Sequence, residues 1–181
     1  MSIDSVNEIN YKFNELSKHL NEDLEVTAQG GNFIRLIYPP GEEKLYLERL
    51  KKSYPDEAHI NVGKLFVKMI DSYGKEKFLE IFRHYKSQPE KVFQSKSSKE
   101  PNLLEFILDA IKEADYNGKT PFLIRTGALH GTGIRLNTIT KTQVVSELKN
   151  PLVIFYPAKE TEGNPLFLNI RRTSDYMGQT I

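Results

Sequence analysis

The segment Thr120–Gly163 constrains the fold of this chain more than any other. Within it, Pro121-Phe-Leu-Ile-Arg-Thr126 and Leu152-Val-Ile-Phe-Tyr156 are short, nearly continuous apolar runs. That is the pattern of strands buried on both faces. Between them lie a glycine-rich turn, Gly127-Ala-Leu-His-Gly-Thr-Gly133, and a stretch long enough for a crossover helix. This layout predicts two parallel strands joined by a helix, with a functional rim at the carboxyl ends of the strands.

The rest of the chain supplies further strands and the covering helices. Val6, Ile9, Phe13, Leu16 and Leu20 recur every three or four residues, one face of a helix over 4–20, with Asp4 or Ser5 as its cap. Phe33-Ile-Arg-Leu-Ile-Tyr38 reads as a buried strand stopped by Pro39-Pro40-Gly41. A helix is expected over 42–54, acidic at its start and basic at its end. Ala58, Ile60 and Val62 alternate with His59 and Asn61 as in a half-buried strand. Helical spacing runs from Lys64 to Lys86, and Gly74 divides it in two. Ser87 to Lys99 reads as a solvated polar loop, or equally as the joint between a helical half and the strand-bearing half. Pro101 suits the first turn of a helix ending near Asn117-Gly118. Pro165 to Ile170 is a last short strand, antiparallel to its neighbour. Both Tyr38-Pro39 and Tyr156-Pro157 end a strand in this reading, because proline cannot donate to a ladder. The expected fold is a single α/β domain over residues 1–181, helix-rich in 1–115, with a strand-crossover core in 116–181. Its sheet is mostly parallel, of about four or five strands, with helices on both faces.

Composition removes several chemistries. With no cysteine there is no disulfide, thiolate nucleophile or cysteine-ligated metal. A formal net charge of +1 argues against binding nucleic acid by global charge. The start MSIDSVNEIN lacks the basic and apolar regions of a secretory signal, and no apolar run approaches the ~20 residues of a membrane span. A cytoplasmic location is therefore expected, with no membrane partner.

The candidate site residues lie mainly in the glycine turn. Gly127, Gly131 and Gly133 sit between a strand and a helix, where freed amides hold anions, and His130, Thr132 and Arg135 are the polar groups beside them. The spacing matches neither the phosphate-loop pattern nor G-x-G-x-x-G, so glycine serving a tight turn is the competing reading. His19, His59, His84 and His130 form no metal-ligand spacing, and neither metal nor cofactor is expected. His59 and His84 are expected to be partly buried structural residues. No nucleophile elbow is present, so no catalytic residue is assigned. Lysine-bearing stretches, Lys44–Lys52 and Lys86–Lys99, are interleaved with glutamates and read as solvated faces. Tyr38, Tyr156 and Tyr176 fall at strand ends or in the tail, where an amphipathic ring anchors a partner.

Nearly the whole chain resembles the BrxB family of bacterial phage-exclusion (BREX) defence systems. The resemblance rests on a helix around Phe13-Asn-Glu-Leu16, Ile37-Tyr-Pro39 followed by Glu42-Glu43, and Phe122-Leu-Ile-x-x-Gly-Ala128. Arg135 and Pro151-Leu-Val-Ile-Phe-Tyr-Pro157 complete it. Ala158 stands where that family usually has glycine, and Ser174-Asp-Tyr-Met177 keeps one aromatic of its usual ending. The resemblance implies a non-enzymatic accessory or scaffold subunit of an antiphage complex, acting by protein–protein interaction. Its implied partners are a PglZ-like subunit of the alkaline-phosphatase superfamily, a large ATPase and a DNA methyltransferase, with nucleic acid met only indirectly. The alternative from the residues themselves is a nucleotide- or phosphate-binding regulatory module using Gly127–Gly133.

Overall fold

The computed structural model describes residues 3–21, 32–94, 102–159, 166–168, 171–172 and 179–181. In chain order the elements are α1 (Ile3–Asn21), β1 (Phe33–Tyr38), α2 (Glu43–Ser53), β2 (Ala58–Asn61), α3 (Val62–Tyr73) and α4 (Lys75–His84). There follow α5 (Glu90–Phe93), α6 (Leu103–Tyr116), β3 (Pro121–Ile124), α7 (Leu136–Thr140), α8 (Gln143–Ser146) and β4 (Leu152–Lys159). Three two-residue strands close the series: β5 (Leu166–Phe167), β6 (Arg171–Arg172) and β7 (Gln179–Thr180). Single 3-10 turns occupy Pro40–Glu42 and Thr126–Leu129.

The main sheet has the order β2-β3-β4-β1-β7, and every neighbouring pair in it is parallel. The chain is thus an α/β protein with a parallel sheet, and the two strands expected to lie side by side do so, Phe122 against Val153 and Leu123 against Ile154. From β1 the chain crosses to the far edge over one face, through α2. It then steps back, β2 to β3 to β4, over the opposite face. Moves in opposite directions cover opposite faces, as a single crossover hand requires.

Alternation along the strands builds two cores. Ile34, Leu36 and Tyr38 of β1, Phe122 and Ile124 of β3, and Val153 and Phe155 of β4 point to one side. They meet Ile9, Phe13 and Leu16 of α1 and Tyr46, Leu47 and Leu50 of α2 there. Tyr38, Tyr46, Phe13 and Phe155 form a cluster of rings with centroids 5.2–6.5 Å apart. Leu123, Leu152 and Ile154 point to the other side, under α3–α8. There α6 sends in Leu103, Ile107, Ile111 and Ala114, one helical stripe.

Local signals explain most boundaries. Gly74, at φ 78°, separates α3 from α4. Asn102 caps α6: its side chain accepts from Glu105 N (3.0 Å), and Glu105 Oε2 accepts from Asn102 N (3.1 Å). Pro101 lies outside the described residues, and the cap is the signal that its proline obscured. Asp4 and Ser5 do not cap α1, which already includes them; Ser5 donates instead to Glu42 Oε1 (3.0 Å).

Four other expectations are corrected. Ser87–Lys99 is not wholly a solvated loop, because α5 turns Val92 and Phe93 into the core, Phe93 stacking on Phe66 at 5.4 Å. The crossover after the glycine turn is two short helices, α7 and α8, rather than one. Proline stops β1 at Pro39, but Pro157 lies inside β4, opposite Tyr38, and β4 continues to pair antiparallel with β5. The antiparallel strand near residue 166 is as expected but not the last, since β7 adds to the edge of β1 through Ile37 N to Ile181 O and Ile181 N to Arg35 O, both 2.9 Å.

Two substitutions test this packing. Phe155→Ala opens a cavity in the ring cluster and should lower unfolding free energy by about 3–5 kcal/mol in urea titration. Asn102→Ala removes the side-chain half of the capping box, the acceptor for Glu105 N, and should cost about 1 kcal/mol by the same measurement.

Candidate functional site

Parallel strands end at one edge, and here the first residues past three strands converge on a cleft. After β1, Pro39 halts the ladder and the 3-10 turn Pro40–Glu42 leads into α2, whose first residue is Glu43. At the end of β2, Asn61 caps α3, its Oδ1 accepting from Lys64 N at 3.1 Å. Gly63 suits that cap, since a Cβ there would lie 3.3 Å from Asn61 Oδ1. After β3, Arg125 takes a left-handed conformation (φ 59°, ψ 34°), which glycine and, less readily, asparagine and aspartate adopt but which strains most side chains. The turn swings its side chain back to pair with Glu43. Thr126, wholly buried, then donates to Phe155 O (2.6 Å) and so pins the turn to β4.

The resulting cleft holds about 610 Å³. Glu43, Arg125 and Lys64 supply its charges, Asn61 an amide, and Val67, Gly127 and Ala128 its apolar wall. Beneath Glu43, Tyr38 is fully buried and donates from its hydroxyl to Glu43 Oε1 at 2.8 Å. Burial, and then the neighbouring carboxylate, push the Tyr38 hydroxyl far above its ordinary pKa. It therefore stays protonated and serves as a fixed donor. Glu43 thus has one oxygen held by Tyr38 and the other by Arg125.

Of the described residues singled out from sequence as site candidates, Gly127 alone lines this cleft. Gly131 and Gly133 take positive φ (79° each), and a Cβ on Gly133 would meet Glu90 and Gln94 at 3.2–3.3 Å. Gly133 thus lets the turn close against α5, while Gly131 serves the left-handed backbone alone. Thr132 is buried, accepting from Ile134 N and donating to Leu129 O within the turn. His130 and Arg135 are exposed and do not line the cleft. Tyr38 and Tyr156 are not surface anchors: Tyr38 supports Glu43, and Tyr156 is buried, stacked on Phe167 at 4.8 Å with the Arg35 guanidinium 5.7 Å from its ring. Tyr176 lies outside the described residues. His84 is exposed, edge-on to Tyr85, rather than partly buried.

Sequence reading missed Arg125, Glu43, Asn61 and Lys64. Each lies within a few residues of the end of a parallel strand, the one signal that would have found them. Among the described residues no group of three His, Cys, Asp or Glu is placed to hold a metal ion, and no helix is long and apolar enough to cross a membrane. Comparison with family models, curated proteins and solved structures gives no match.

Tyr38→Phe should leave the fold intact but cost about 1–2 kcal/mol, because Glu43 loses a buried donor; chemical denaturation reads this directly. His59 gives a pH test. Burial lowers its pKa below 6.5, outweighing its 2.9 Å contact with Tyr54 O. The folded state then binds fewer protons than the unfolded chain. The contribution is intact above pH 6.5 and is lost as pH falls through the lowered value. Thermal unfolding from pH 8 to 5 should show that loss in the wild type and a smaller one in His59→Gln.

Proposed function

We propose that this protein is a non-enzymatic accessory subunit of a BREX-type antiphage complex and acts by binding other proteins. The observation that carries the reading is the pairing of Phe122–Ala128 with Pro151–Pro157. These two segments bear the strongest part of the resemblance to the BrxB family, and they form adjacent parallel strands joined through the glycine turn. Such segments are sheet core, so they support kinship of fold rather than a chemistry.

A docking subunit needs anchors that the fold leaves outside. Burial withdraws Tyr38 and Tyr156 from that role. Tyr116, at the end of α6, is 88% exposed, and Tyr11, on α1, is 64% exposed. Tyrosine gives large contact area at low entropic cost and is enriched among interface anchors. The partner named first is the PglZ-like subunit.

Co-expression with that subunit should give a complex that survives gel filtration. Tyr116→Ala or Tyr11→Ala should weaken it about tenfold or more without changing the melting temperature. Failure of the wild-type chain to co-purify with any BREX protein would overturn the reading.

A further inference from the structure

We infer that the cleft at the carboxyl edge is a binding site for a small phosphate-bearing molecule with a flat apolar part, of the nucleoside monophosphate class. Its place in the fold is the first reason. The segments after β1 and β3 leave for opposite faces of the sheet, so a crevice opens between them at the strand ends, where open α/β sheets receive ligands. The volume, about 610 Å³, suits a ligand of that size.

The charges decide the ligand's sign. Arg125 engages Glu43 through Nη1, which leaves most of its five guanidinium N–H donors unspent on that contact. Lys64 lines the same space, exposed, and lies within ion-pair distance of no carboxylate among the described residues. Two cations against one carboxylate leave the cleft net positive. The carboxylate is also the better satisfied partner, since Tyr38 holds Glu43 from below at 2.8 Å. Arg125 can therefore turn its fork to an incoming phosphate, in the bidentate geometry that suits that group, without abandoning Glu43 to an empty site. The left-handed backbone at Arg125 is the cost of aiming that side chain along the rim.

The apolar wall beside the cations selects the rest of the ligand. Val67, an aliphatic residue 55% exposed on α3, and Ala128 present apolar surface to the cleft. Gly127 continues that side, backed by Leu168 and Pro157, 3.4 and 3.8 Å from where its Cβ would sit. A planar base laid on this wall places its phosphate toward Arg125 and Lys64. This site is distinct from the tyrosine surfaces proposed for docking, and its test does not depend on them.

The test is calorimetric titration of the full chain at low salt with AMP, adenosine and orthophosphate, so that ring and anion are read separately. AMP should bind more tightly than either fragment. Arg125→Asn tolerates the left-handed backbone, and Lys64→Ala alters an exposed side chain, so both should fold. Each should weaken AMP binding by about 10–100-fold while leaving adenosine unchanged. No heat with AMP at about 10 mM, a few kcal/mol of affinity at most, would overturn the site. So would AMP binding indifferent to both substitutions, or adenosine binding as tightly as AMP. Orthophosphate binding as tightly as AMP would overturn the apolar wall's part.

Discussion

The structure depends on β4 being sealed on both faces. It pairs with β1 over six positions and with β3 on its other side, so its backbone polar groups stay satisfied in a place water does not reach. Its side chains then have only one choice. Leu152, Ile154 and Tyr156 fill the core under α3–α8, and Val153 and Phe155 fill the one under α1 and α2. A one-residue slip would exchange the two sets and ruin both cores, so the register is fixed by packing as well as by hydrogen bonds.

The cleft follows from that register. Parallel strands place all their carboxyl ends at one edge, and the residues just past each end must turn away from a buried ladder. Asn61 turns the chain with a side-chain cap, Arg125 with a left-handed backbone, and Pro39 by withholding an N–H. The polar groups this leaves at the rim are tied to the core below. Tyr38 runs from the ring cluster up to Glu43, and Thr126 runs from the glycine turn down to Phe155 O. The rim is thereby held by buried contacts rather than by surface ion pairs, which contribute little alone.

Much of this was legible along the chain. Apolar runs at 33–38, 121–126 and 152–156 marked the strands, and Gly74 marked the helix break, because both signals act within a few residues. Errors arose where a local signal was outvoted. Pro157 reads as a stop, yet β4 continues past it into its pairing with β5. The polar run at Ser87–Lys99 hid Val92 and Phe93, two apolar residues among many lysines and serines, which α5 carries into the core. Tyr38 and Tyr156 looked like surface anchors because each carries a hydroxyl at a strand end. Packing buried both, and a carboxylate from α2 accepts the Tyr38 hydroxyl's hydrogen bond.

What the sequence by itself determined is the class of fold: strands buried on both faces, breaks at glycine and proline, and helices with one apolar stripe. These are consequences of short-range periodicity and backbone sterics, which need no knowledge of distant residues. Only the tertiary structure decided the site. Arg125 and Glu43 are 82 residues apart along the chain and meet because β1 and β3 run the same way in one sheet with β4 between them. Strand order is a property of the whole packed core, so no pattern within either segment foretells their contact.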